Sequence, residues 1–152
     1  MAQAESTDVA EVRVFRDFGD VPLVGAIELV SPANKDRPEK REAFISPCDY
    51  YVREGVGLII VDIVTESSVN LHSLLVERFK ERELPNEEIS AAAYRPVIRE
   101  DSQESDVWYP PLQLGQPLTD MPLYLHNGPC ARANLDATDI QVCEQLKLTT
   151  DN

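Results

Sequence analysis

Apolar and polar positions along this chain switch between two periods, and each switch predicts an element. Val12 and Val14 alternate with charged Glu11 and Arg13, the period of a half-exposed strand. "FGDVP" then supplies turn residues, so "EVRVFRDFGDVPLVGAIELV" is expected to fold as a β-hairpin. Its second strand, residues 23–30, is apolar on both parities except at Glu28, and such a strand belongs inside a sheet. Ser31-Pro32 ends it. Asp36 is placed to cap a helix over residues 37–54, with Glu39 as capping-box partner and Pro38 in the first turn. Phe44, Ile45, Cys48, Tyr51 and Val52 recur at helical spacing and predict its buried face, while Pro47 predicts a kink. "GLIIVDIV", residues 57–64, is a second doubly covered strand, again holding one acid, Asp62. Strand, helix and strand over about forty residues predict a β-α-β crossover with parallel strands.

The rest of the pattern is weaker. Asn70 can cap a helix over residues 70–83 with Leu71, Leu74, Leu75 and Phe79 inward. "AAAYRPVIRED" and "SDVWYPPLQL" predict an edge hairpin around "EDSQES", and "MPLYLH" a short strand. Asp136 is placed to cap a last helix over residues 137–147, with Ile140, Cys143 and Leu146 inward. Residues 1–10 are polar and expected to fray as a flexible N-terminus, and residues 149–152 form a tail. The expected fold class is α/β: one domain over residues 11–148, with a mixed central sheet carrying a β-hairpin and a β-α-β crossover.

Composition narrows the function classes. The chain has 152 residues, enough for one proper core, and a net charge of −13 from 27 acids and 14 bases. Such acidity opposes nonspecific attraction to a phosphate backbone. A nucleic-acid partner would have to use the local patch "KDRPEKR", through Lys35, Arg37, Lys40 and Arg41. No apolar run reaches the ~18 residues that span a bilayer, and "MAQAESTDVAEV" lacks an apolar signal core, so no membrane partner is expected. Cys48, Cys130 and Cys143 are scattered and form no CxxC pair, which fits free thiols in a reducing cytoplasm.

Phosphate-loop and nucleophile-elbow motifs are missing: the chain has no GxxxxGK[ST], no GxGxxG after a strand and no GxSxG. His72 is expected on a helix surface and His126 at a strand end. The two strand carboxylates remain. An ionised carboxylate inside a dry strand costs several kcal/mol unless it is paired or metal-bound. Two of them on consecutive strands, Glu28 and Asp62, fit a hard cation such as Mg²⁺. The competing reading is structural: Glu28 paired with Lys40 or Arg41, and Asp62 bonded to a backbone amide or a tyrosine. Lys40 continues the stripe of Phe44, Cys48 and Tyr51, so its ammonium is expected within a few ångströms of Glu28. A carboxylate holding Mg²⁺ beside a lysine suits metal-assisted phosphodiester hydrolysis.

"VGAIELVSPANK", "REAF" and "GLIIVDIV" together resemble a large uncharacterised bacterial family with an I-E-x-L-S-P-x-N-K motif. The tail from "PLTDMPLYLH" is similar to that family's ending, so the likeness spans about residues 11 to 148. The E-x-x-S-P core also resembles the putative restriction-endonuclease family of the PD-(D/E)XK nuclease superfamily. That resemblance implies a nuclease-like fold and a Mg²⁺-dependent phosphodiester hydrolase, with Glu28 and Lys40 catalytic and Glu28, Glu11 and Asp62 as metal candidates. The strict lysine position, two residues after Glu28, is Val30, and branches that move the lysine into the following helix put it at Lys40. The "PD" dipeptide is absent; Glu11 is the best-placed upstream acid, ahead of Asp20 in the turn. The alternative is a catalytically inactive relative of the same fold, acting as a binding or assembly module and pairing as a homodimer.

Overall fold

The two strands that are apolar on both sides lie at the centre of the structure, a computed structural model describing residues 2–7, 11–16, 23–79, 85, 87–135 and 141–144. A six-stranded sheet has the order β1-β2-β3-β4-β5-β6: β1 (Ala2–Thr7), β2 (Glu11–Arg16), β3 (Leu23–Leu29), β4 (Gly57–Asp62), β5 (Ser90–Arg99) and β6 (Ser102–Trp108). Neighbours are antiparallel except β3 and β4, which are parallel, so the protein is a mixed α/β structure with the expected crossover. A second sheet, β7 (Met121–Tyr124), β8 (Cys130–Asn134) and β9 (Gln141–Glu144), is antiparallel throughout.

Among the described residues, three helices connect these strands: α1 (Pro32–Lys35), α2 (Pro38–Arg53) and α3 (Leu71–Arg78). One face of the six-stranded sheet, through Ala26, Leu58, Ile60 and Tyr94, packs on Phe44, Cys48 and Val52 of α2 and Leu71 and Leu75 of α3. The other face, through Val12, Val14, Ile27, Ile59 and Val61, packs on Met121, Leu123, Ala131 and Ala133 of the second sheet. Helices, sheet and sheet form three layers, which is why β3 and β4 read as apolar on both parities. No helix of the described residues is long and apolar enough to cross a membrane.

Several expectations are corrected. Ala2–Thr7, expected to fray, pairs along β2 as β1. The expected helix over 137–147 is replaced, within the described residues, by strand β9, which takes its pairing from β8 (Arg132 opposite Cys143). Asp36 does not cap α2. It closes α1, and Arg37 takes the N-cap place without a side-chain bond. The side-chain cap belongs instead to α1, where Asn34 Oδ1 accepts from the Ser31 amide (2.8 Å) and the Ser31 hydroxyl (2.9 Å). Helix α2 runs on through Pro47. Pro47 is exposed, so the carbonyl it leaves unbonded lies on the solvent side, where water can satisfy it. Helix α3 buries Leu71 and Leu75 as expected, with Leu74 and Phe79 partly buried against the same core, but His72 and Val76 are buried as well. The β5–β6 turn is tighter than "EDSQES", with only Glu100 (φ 50°) and Asp101 (φ 63°) left-handed and Ser102 already in β6.

Candidate functional site

Both strand carboxylates are buried as expected, Glu28 8% and Asp62 5% exposed, but the structure gives them different partners. Glu28 sits directly opposite Glu11 in the β2–β3 ladder and hydrogen-bonds it; Arg13 ion-pairs with Glu11. Burial raises the Glu28 carboxyl to about 8; the Glu11 charge and hydrogen bond add to this, and Arg13 pulls the other way. Glu28 is therefore mostly protonated at neutral pH and donates to the Glu11 carboxylate. Tyr51 and Cys48 of α2 lie over the pair: burial, then the fields of both acids, pushes the Tyr51 phenol up to about 12, and burial leads the rise of the Cys48 thiol.

Lys40 is not part of this site. Glu28 lies beside Cys48 and Tyr51, and Lys40 precedes Cys48 by eight residues, about 12 Å along the helix axis. Its side chain is exposed in the first turn of α2, which corrects the expected Lys40–Glu28 contact. Val30 is in the core.

The buried cation is Lys35. Turn α1 brings its ammonium back over the end of β4, where Nζ lies 2.7 Å from Asp62 Oδ2 and 3.5 Å from the Val64 carbonyl. Asp62 Oδ1 accepts from the Val64 amide at 3.0 Å. Asp62 thus has a cation and a backbone amide, the second of which the structural reading anticipated. Of the expected basic patch, Lys35 is buried, Arg41 Nε donates to the Lys35 carbonyl (2.9 Å), and Arg37 and Lys40 are exposed.

Behind this ion pair lies a polar network that the sequence reading missed. His72, expected on a surface, is fully buried. Its Nδ1 meets the Tyr94 hydroxyl at 2.9 Å, Tyr109 stands edge-on at 5.6 Å, and Nε2 has no hydrogen-bond partner. Burial, helped by the Lys35 charge, lowers its pKa to about 3. Spacing with Leu75 and Val76 would have placed His72 inward; its polarity argued the other way. Lys35, Asp62 and Ser90 open onto a cavity of about 250 Å³, rimmed by Ser68, Asn70 and Glu87. It lies at the carboxyl ends of the parallel strands β3 and β4, where open α/β sheets place their ligands.

Asp62 is paired with Lys35, and Glu28 with Glu11. Among the described residues, no group of three or more His, Cys, Asp or Glu side chains is placed to hold a metal ion. Comparison with protein-family models, curated proteins and solved structures gives no match to this chain.

Proposed function

We propose that this chain is a binding module on a nuclease-like α/β scaffold and not a hydrolase, with its ligand crevice at the carboxyl ends of β3 and β4 around Lys35 and Asp62. The observation that carries this reading is the fate of the lysines. Each place from which an ammonium would serve Glu28 is otherwise filled: Val30 is buried, Lys40 is exposed, and Lys35 is paired with Asp62. Net charge supports a small molecule or a protein partner over nucleic acid.

A second reading, the Mg²⁺-dependent phosphodiester hydrolase, is favoured by one feature: Glu11 and Glu28 face each other, and a cation bound by both carboxylates would displace the proton they share. Mg²⁺ commonly takes one or two carboxylates and keeps several waters, so the donor type fits Glu11 and Glu28; Asp62 does not join them.

Thermal melts with Mg²⁺ and Mn²⁺ and a plasmid cleavage assay separate the two. The binding-module reading expects no cleavage and the same melt with or without either ion to millimolar levels. The hydrolase reading expects a gain of about 2.7 kcal/mol at a hundredfold excess of ion over its dissociation constant. That gain would disappear in Glu28→Gln.

A further inference from the structure

At the opposite end of β4 from Asp62 lies a cleft of about 630 Å³, large enough for a small organic ligand. Its walls are the end of α2, the second half of β5 and the β7–β8 turn. We infer that this cleft binds a small organic oxyanion, a carboxylate or phosphate ester with an apolar flank, through Arg95.

The charge is the first argument. Arg95 sits opposite Asp106 on β6, but Arg99 takes both Asp106 oxygens, at 2.8 Å each. Arg95 is exposed and has no ion pair among the described residues; its guanidinium lies 5.5 Å from the centre of the Tyr124 ring. Arg95 shares the cleft lining with Glu54, and its charge reaches Asp106 without an ion pair to it. Burial raises the Tyr124 phenol and the Cys130 thiol, and the Arg95 charge opposes both shifts, for Cys130 after the backbone hydrogen bond at Leu123. Guanidinium offers the planar fork that oxyanions accept from.

Pre-formation is the second argument. His126 Nδ1 donates to the Gly55 carbonyl at 3.0 Å, which leaves Nε2 to accept from Asn127 at 3.1 Å. The His126 amide donates to Val24 (3.0 Å), and Arg16 holds the His126 carbonyl (3.0 Å). Two glycines permit this closeness. A Cβ on Gly55 (φ 80°) would come within 2.7 Å of the His126 ring, and one on Gly57 would overlap the Tyr124 carbonyl. The turn is thereby fixed against α2, and a ligand would meet a rigid wall. Apolar lining comes from Val97, Leu125 and Ile98, the last of which is 78% exposed.

Titration calorimetry at low ionic strength, with phenyl phosphate, benzoate and inorganic phosphate as probes, tests the inference. Expected is saturable one-to-one binding of phenyl phosphate or benzoate, tighter than that of inorganic phosphate. The better of the two identifies the oxyanion. Arg95→Ala should weaken binding about tenfold, and Arg132→Ala, an equal loss of charge on β8, should leave it unchanged. No saturable binding of any probe, or equal weakening by both variants, overturns the inference. Neither result bears on the crevice at the other end of β4.

Discussion

Replacing Lys35 with alanine is expected to lower the unfolding free energy by about 3–5 kcal/mol, because it leaves the Asp62 carboxylate buried without its cation. Urea denaturation at neutral pH measures this directly. The size of the loss reflects the orphaned charge and not the worth of the pair. The double variant Lys35→Met/Asp62→Asn should therefore recover most of the stability: methionine fills the stem's space, and the asparagine oxygen still accepts from the Val64 amide. A loss under about 1 kcal/mol for Lys35→Ala would mean that water reaches Asp62 freely.

Stability should also bend with pH in a way that two buried groups set in opposite directions. The Glu28 carboxyl is raised from 4.5 to about 8, so the folded state holds a proton that the unfolded chain releases. Its contribution is complete below pH 4.5 and is lost as pH rises to 8. His72 is lowered from 6.5 to about 3, so its contribution is complete above pH 6.5 and is lost as pH falls. Between pH 4.5 and 6.5 the two slopes oppose each other, and a plateau is expected. From pH 6.5 to 8 only Glu28 acts, and its share of the fall is about 2 kcal/mol. Glu28→Gln keeps a donor toward Glu11 and no longer titrates, so it should abolish that fall and exceed wild type above pH 8. Denaturation curves across this range would refute the shared proton if both proteins declined in parallel.

Burial is the property the chain stated most clearly. Strands β3 and β4 were legible because a strand covered on both faces has an apolar signature that needs no knowledge of its cover. Pairing was less legible. The Glu11–Glu28 contact depends on the register of β2 on β3, which shifts between Val14 and Phe15, and counting back from an unseen turn cannot place that irregularity. The helical spacing of Ile140, Cys143 and Leu146 predicts a helix, whereas Gln141 to Glu144 pair with β8 as a strand. Lys40 and Lys35 exchanged roles for a similar reason. The stripe through Phe44, Cys48 and Tyr51 gave the facing of α2 correctly but said nothing of its height above Glu28. The Asn34 cap winds an extra turn there and brings Lys35, not Lys40, over the strand ends.

The layer order also has a consequence in time. The six-stranded sheet and its helices are complete once residue 108 has been synthesised, while the strands that cover the sheet's second apolar face begin only at Met121. For that interval Val12, Val14, Ile27, Ile59 and Val61 form a finished surface with nothing on it, and a nascent chain in that condition invites capture by other chains. The last strands cover a face that the sheet made before them leaves open, and a chain ending ahead of Met121 is expected to expose it and to aggregate.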